Sequence, residues 1–210
     1  MDLTTLASLK AYAGITGTAN DAALSSLITS YSATIEGYLG RSLASAARNE
    51  WRDGTGKDEI ILTHFPVTAI AALVLWMPSG GYGLPGAASY AVAAAADPSG
   101  NGYLQRDVIN GDGRLLQLTR AAPYCFERGR RNVNIQYTAG YTGIATGAAP
   151  IPADLQQACN ELATRIFKGR DWIGFKSKVL AGENIVFDTN AMPDSVKLSL
   201  QRYKELGLPS

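Results

Sequence analysis

The chain has 210 residues, 46% of them apolar and 18% charged, and its formal net charge is +1. That length suits one domain, or one domain carrying a sizeable insertion, and near-neutrality gives no bulk electrostatic pull toward nucleic acid or a membrane surface. The charged share lies below the ~25% of an ordinary domain; with 22 glycines and long alanine runs, this suits either a surface covered by partners or one simply rich in small residues.

Two cysteines, Cys125 and Cys159, make no disulfide framework, and a reducing compartment is the simplest setting. The start, MDLTTLASLK, has no cationic segment followed by an apolar run, so it does not read as a signal peptide. The longest strongly apolar run, Val67 to Met77, falls far short of the ~20 residues that span a bilayer. These features predict a soluble protein made in the cytoplasm.

The first forty residues predict two helices. Thr4 or Thr5 caps the first, Leu6 and Leu9 face inward, and Gly14 ends it. Asn20 or Asp21 caps the second, in which Leu24, Leu27, Ile28, Tyr31, Ile35, Tyr38 and Leu39 recur at helical spacing. Gly40 stands where a left-handed C-terminal cap belongs, since it has no Cβ to clash there.

From Asn49 to Thr142 the chain turns to β-branched residues, glycine and turn pairs. Asp53-Gly54-Thr55-Gly56 reads as a turn before a strand over Glu59 to Leu62, which His64-Phe65-Pro66 breaks. Val67 to Trp76 reads as a buried strand or two short ones. Residues 79–86 are a loop, and the alanine-rich Ala87 to Ala96 fits helix or strand equally. Asn110-Gly111-Asp112-Gly113 predicts a hairpin turn, because Asn and Asp before glycine tolerate positive φ. Leu115 to Thr119 alternates. Val133, Ile135 and Tyr137 alternate with polar residues, as in a half-exposed strand.

Helix returns at Pro152, with Leu155, Ala158, Cys159, Leu162 and Ile166 on its inner face and Gly169 at its end. Residues 170–190 read as irregular. A short last helix begins near Pro193, places Val196, Leu200 and Tyr203 inward, and stops at Gly207. Helices at both ends around a β-rich middle predict an α+β fold. A small helical bundle is built from residues 1–48 and 150–210, with residues 49–149 as a β-rich insertion.

No set of residues carries a catalytic signature. His64, the single histidine, has no second motif beside it, and Cys125 has basic neighbours that could lower its pKa but no partner in sequence. Asn110 to Gly113 lacks the remaining ligands of a calcium loop. No phosphate-binding loop occurs. The expectation is no catalytic residue, no cofactor and no metal. Arg128, Arg130 and Arg131 form a basic cluster, read either as a solvated hairpin rim or as a salt-sensitive contact with a partner or passing DNA.

Several stretches, taken together, carry a resemblance. LASLKAYAGI, ALSSLITSYSATIEGYLGR and NEWRDGTGKDEIILTHFPVTAI, followed later by NVNIQYTAGYT and IPADLQQACNELATRIFKGRDWIG, resemble in order and spacing the tailed-phage head–tail connector (adaptor) family. Residues 77–127 depart from its compact members. The resemblance implies a structural protein of the virion neck, made in the bacterial host cytoplasm. Such a protein forms a ring, usually twelve-fold, under the portal protein. The ring extends the channel for genomic DNA without reading its sequence, docks the tail or a tail-completion protein, and touches no membrane. The alternatives are another neck or tail module such as a tail terminator, a carbohydrate-binding β domain with Tyr82, Tyr90 and Tyr103 exposed, or a small enzyme using Cys125 or His64. Partner contacts are expected from Trp172, Phe175, Val186 and Phe187 in the apolar segment after Gly169, with Trp172 and Ile173 packing at home, and from the three arginines.

Overall fold

The computed structural model describes residues 1–77, 88–91, 94, 102–107, 113, 115–118, 125–144, 147–170, 177–180, 183–186 and 192–204. They fall into two units, one drawn from Met1–Leu43 and Pro150–Glu205, the other from Ala44–Thr142. The fold is α+β, with helices in the first and antiparallel strands in the second.

In the helical unit, α1 spans Leu6–Ala13. The Thr5 hydroxyl accepts from the Ser8 amide, and Gly14 closes the helix at φ 68. Helix α2, Asp21–Leu39, ends on Gly40 at φ 72. At its start, Asn20 is the cap by position, but its side chain makes no capping hydrogen bond. Helix α3, Ala153–Gly169, follows Pro152. Leu9, Leu24, Ile28 and Ala163 form the core of this unit, flanked by Leu6, Leu27, Tyr31 and Phe167. Among the buried polar groups of the unit, the Ser32 hydroxyl accepts from the Leu3 amide at 3.0 Å and lies 3.6 Å from the Cys159 thiol. Burial pushes that thiol's pKa up, so it stays protonated as a small core residue.

Helix α4, Asp194–Leu200, continues as a single 3₁₀ turn over Gln201–Tyr203, and the backbone is extended at Lys204. The last helix thus stops before Gly207, which lies outside the described residues. Val196, Leu200 and Tyr203 are buried as their spacing predicts. The Tyr203 hydroxyl reaches both oxygens of Asp154 in the first turn of α3, at 2.7 and 2.8 Å, and the Arg41 Nε donates to the Tyr203 carbonyl at 3.0 Å.

The stretch 170–190 is not wholly irregular. Strands β8, Ser177–Leu180, and β9, Glu183–Val186, pair antiparallel with Leu180 opposite Glu183. Lys-Val-Leu and Asn-Ile-Val are too short to show a period above the surrounding glycines and aromatics, and only their mutual pairing reveals the hairpin.

The second unit contains β1 (Ala46–Gly54), β2 (Glu59–Ile61), β3 (Val67–Met77), β4 (Ala88–Ala91), β5 (Tyr103–Arg106), β6 (Leu115–Leu118) and β7 (Gly129–Ala139). Four strands form a sheet in the order β1-β7-β3-β4, and three form another in the order β2-β6-β5. One core joins Ile60, Tyr103 and Leu116 of the smaller sheet to Leu73, Leu75, Val133, Ile135 and Tyr137 of the larger. The alanine-rich segment that fitted either state is strand over Ala88–Ala91. Asn110 to Asp112 lie outside the described residues, but β5 and β6 on either side pair antiparallel, and Gly113 has φ 58.

Strand β7 lies between β1 and β3 and is half-exposed only in part: Gln136 is exposed as alternation predicts, whereas Asn132 and Asn134, on the same outward face, are buried. The Asn134 amide donates to Asn49 Oδ1 at 2.6 Å, and Asn132 accepts from the Gly54 amide at 2.7 Å while donating to the Glu127 carbonyl at 2.8 Å. Gly140 follows β7 at φ 115, where an added Cβ would stand 2.5 Å from the Ala44 carbonyl oxygen. Gly140→Ala should therefore lower the unfolding free energy by about 1–3 kcal/mol from backbone strain alone, read as a shifted urea midpoint.

Candidate functional site

Strand β1 is the end strand of the four-stranded sheet, hydrogen-bonded to β7 on one side. Beside it runs a groove of 530 Å³ lined by Ala47 to Arg52 and by Thr63 and His64. Because six consecutive residues of alternating orientation line it, the groove follows the edge of the strand and not one of its faces.

The inward residues of β1 build a polar network along that edge. Glu50 Oε2 accepts a very short hydrogen bond from the Tyr137 hydroxyl, and Glu50 Oε1 accepts from Thr63 Oγ1 at 2.6 Å. Arg52 Nη1 pairs with the same carboxylate oxygen at 3.4 Å, and Nη2 donates to the Ile61 carbonyl at 3.2 Å. The His64 amide donates to the Tyr137 hydroxyl at 3.3 Å. Burial first, then the bond to Glu50 and its negative charge, push the Tyr137 pKa well above its ordinary value; the His64 amide and Arg48 oppose this. Arg48 stands opposite Tyr137 in register, and its buried Nε has no hydrogen-bond partner among the described residues.

On the outer face, Trp51 of β1 and Trp76 of β3 are 40% and 38% exposed. Strands lie ~4.8 Å apart, so β1 and β3, with β7 between them, are separated by roughly twice that. The two ring centroids are only 6.4 Å apart, so the rings lean toward each other above β7. This is the exposed aromatic surface of the unit. Tyr103, expected on a binding face, is buried in the core; Tyr82 lies outside the described residues, and Tyr90 belongs to β4. Trp76, read as part of a buried strand, is instead exposed. Sequence reasoning overlooked the pair because each tryptophan looks like a core residue until the register puts both on one face.

Among the expected contact residues, Trp172, Phe175 and Phe187, with Ile173 beside them, lie outside the described residues, and Val186 ends β9. Arg128, Arg130 and Arg131 come together, exposed, where the chain enters β7. Arg131 has φ 48, and its amide donates to Asp53 Oδ1 at 2.6 Å, while the stem of Arg128 lies against Gly56. Neighbouring carboxylates dilute this cluster into a mixed rim. Among the described residues no group of three or more His, Cys, Asp or Glu is placed to hold a metal, and no helix is long and apolar enough to cross a membrane.

The described surface offers a strand edge and a pair of exposed tryptophans, features suited to contact with other proteins. The chain belongs to the head completion protein family, whose model matches residues 2–75 and 95–206. It is therefore a structural virion protein of the head–tail connection. The unmatched stretch, 76–94, is narrower than the departure read from the sequence at 77–127, so β5 and β6 fall within the family's match. No curated protein matches the chain. Among solved structures it is similar to a chain in the neck of a native GTA particle computed with C12 symmetry, at 21% identity and a TM-score of 0.47, covering 97% of this chain and 90% of that one.

The Tyr137 network gives a titration test. With its folded pKa raised above the unfolded value, Tyr137 contributes full stability below pH ~10 and progressively less above it. Wild type should lose up to about 1.4 kcal/mol per pH unit there relative to Tyr137→Phe, and at neutral pH the substitution should cost about 1–3 kcal/mol, since Glu50 loses a buried donor. Urea melts of both proteins from pH 7 to pH 11 check both statements.

Proposed function

We propose that this connector works as a cyclic homo-oligomer, twelve-fold as the sequence resemblance implies, mounted under the portal protein and offering its far side to the tail or a tail-completion protein. Family membership over residues 2–75 and 95–206 is the observation that carries the reading. The low charged share supports it, since charged residues are depleted at the cores of interfaces. In this reading genomic DNA passes through the lumen without sequence-specific contacts, and the mixed rim of Arg128, Arg130 and Arg131 makes at most salt-sensitive contacts. The chain is made in the cytoplasm of the bacterial host. It performs no chemistry: His64 contributes to the β1 groove, and Cys125 is a half-buried free thiol before Phe126.

The portal contact is assigned to the segment after α3, with Trp172, Phe175, Val186 and Phe187 as anchors, because a few aromatic side chains usually carry most of an interface's energy. Truncation is a poor test, since removing α4 and Tyr203 strips the partner of Asp154 and exposes α3. Single substitution is better. Phe187→Ala should weaken binding to purified portal by ~1–3 kcal/mol in co-sedimentation, with the helical circular-dichroism signal unchanged. Unaltered binding would remove Phe187 from the interface.

A further inference from the structure

The larger sheet ends on β1, nine residues of strand with a hydrogen-bonded neighbour on one side only among the described residues. Such an edge presents a row of backbone donors and acceptors to any extended segment. A groove follows it, and in that groove the Arg48 Nε is shielded from water without an acceptor among the described residues. A buried donor left unpaired is costly, so the edge is incomplete in two respects: backbone pairing and an acceptor for Arg48. The chain also holds a complementary element. Strands β8 and β9 form a two-stranded sheet of four residues each, with no third strand among the described residues. A lone two-stranded hairpin is at best marginally stable in water and gains from a third strand.

We propose that in the assembled connector the β8–β9 hairpin of one copy adds to the β1 edge of the next copy, extending its four-stranded sheet and supplying an acceptor to Arg48. Strand addition of this kind takes affinity from backbone hydrogen bonds and register from alternate side chains. It joins successive copies head to tail, the geometry that closes a ring. The proposal rests on the ring reading above and adds to it a named pair of surfaces.

Ala47 is exposed on β1 and lines the groove, so a photo-crosslinking residue placed there, Ala47→p-benzoylphenylalanine, reports what lies along the edge without assuming a register. Particles assembled with this full-length variant are purified, irradiated and resolved on denaturing gels, and the linked peptides are read by mass spectrometry. The expected result is a ladder of covalent multimers linked to residues 177–186 of another copy. A second variant that adds Ile185→Pro, which removes a backbone donor from β9, should cut multimer yield at least tenfold. Links to a portal or tail protein, links within one chain, or no links in particles that contain the chain would each overturn strand addition between copies. Particles lacking the chain altogether would instead overturn the neck reading on which the proposal rests.

Discussion

The double pairing of β7 is the constraint on which the β unit depends. With β1 on one side and β3 on the other, its Val133, Ile135 and Tyr137 fill the core shared by both sheets, and its Asn132 and Asn134 are buried on the opposite face. The buried polar groups along it have no water, so each must find a partner in the fold. The Tyr137 hydroxyl finds Glu50, and Glu50 in turn holds Thr63 and Arg52, which locks the corner after β2 against β1. The same arrangement makes β1 an end strand and gathers the charged residues Arg48, Glu50 and Arg52 along its rim. Charged side chains are a common guard on such edges, keeping them from pairing indiscriminately until the intended partner arrives.

The helical unit shows a different balance. Its helices are bounded by local chemistry, a threonine cap at α1 and glycines in the left-handed region after α1 and α2. Their association is fixed by a small apolar cluster and by polar groups that find partners far along the chain: Ser32 with Leu3, Asn160 with Ser8, Tyr203 with Asp154. Of these, the Asn160–Ser8 bond joins the N-terminal and C-terminal parts of the unit, as does the bond from Arg41 to the Tyr203 carbonyl.

How much of this is legible in the sequence follows from range. The caps at Thr5, Gly14 and Gly40, the stripe through α2 and the inner face of α3 depend on residues a few positions apart, and each can be read directly. The buried amides of β7 could not be, because alternation reports one face only and says nothing about a strand paired on both sides. The outward tryptophans were hidden for the same reason: Trp51 and Trp76 become neighbours only through the shared strand between them. The β8–β9 hairpin lacks a legible period because each strand is four residues long. Family resemblance supplied the role, which no periodicity could have done.

In the proposed role this chain is a repeated structural element between head and tail, and cryo-electron microscopy of the assembled particle would show it. The expected result is several symmetry-related copies of this α+β fold in a closed ring between the portal and the tail. A single asymmetric copy, or a neck built without this fold, would contradict it.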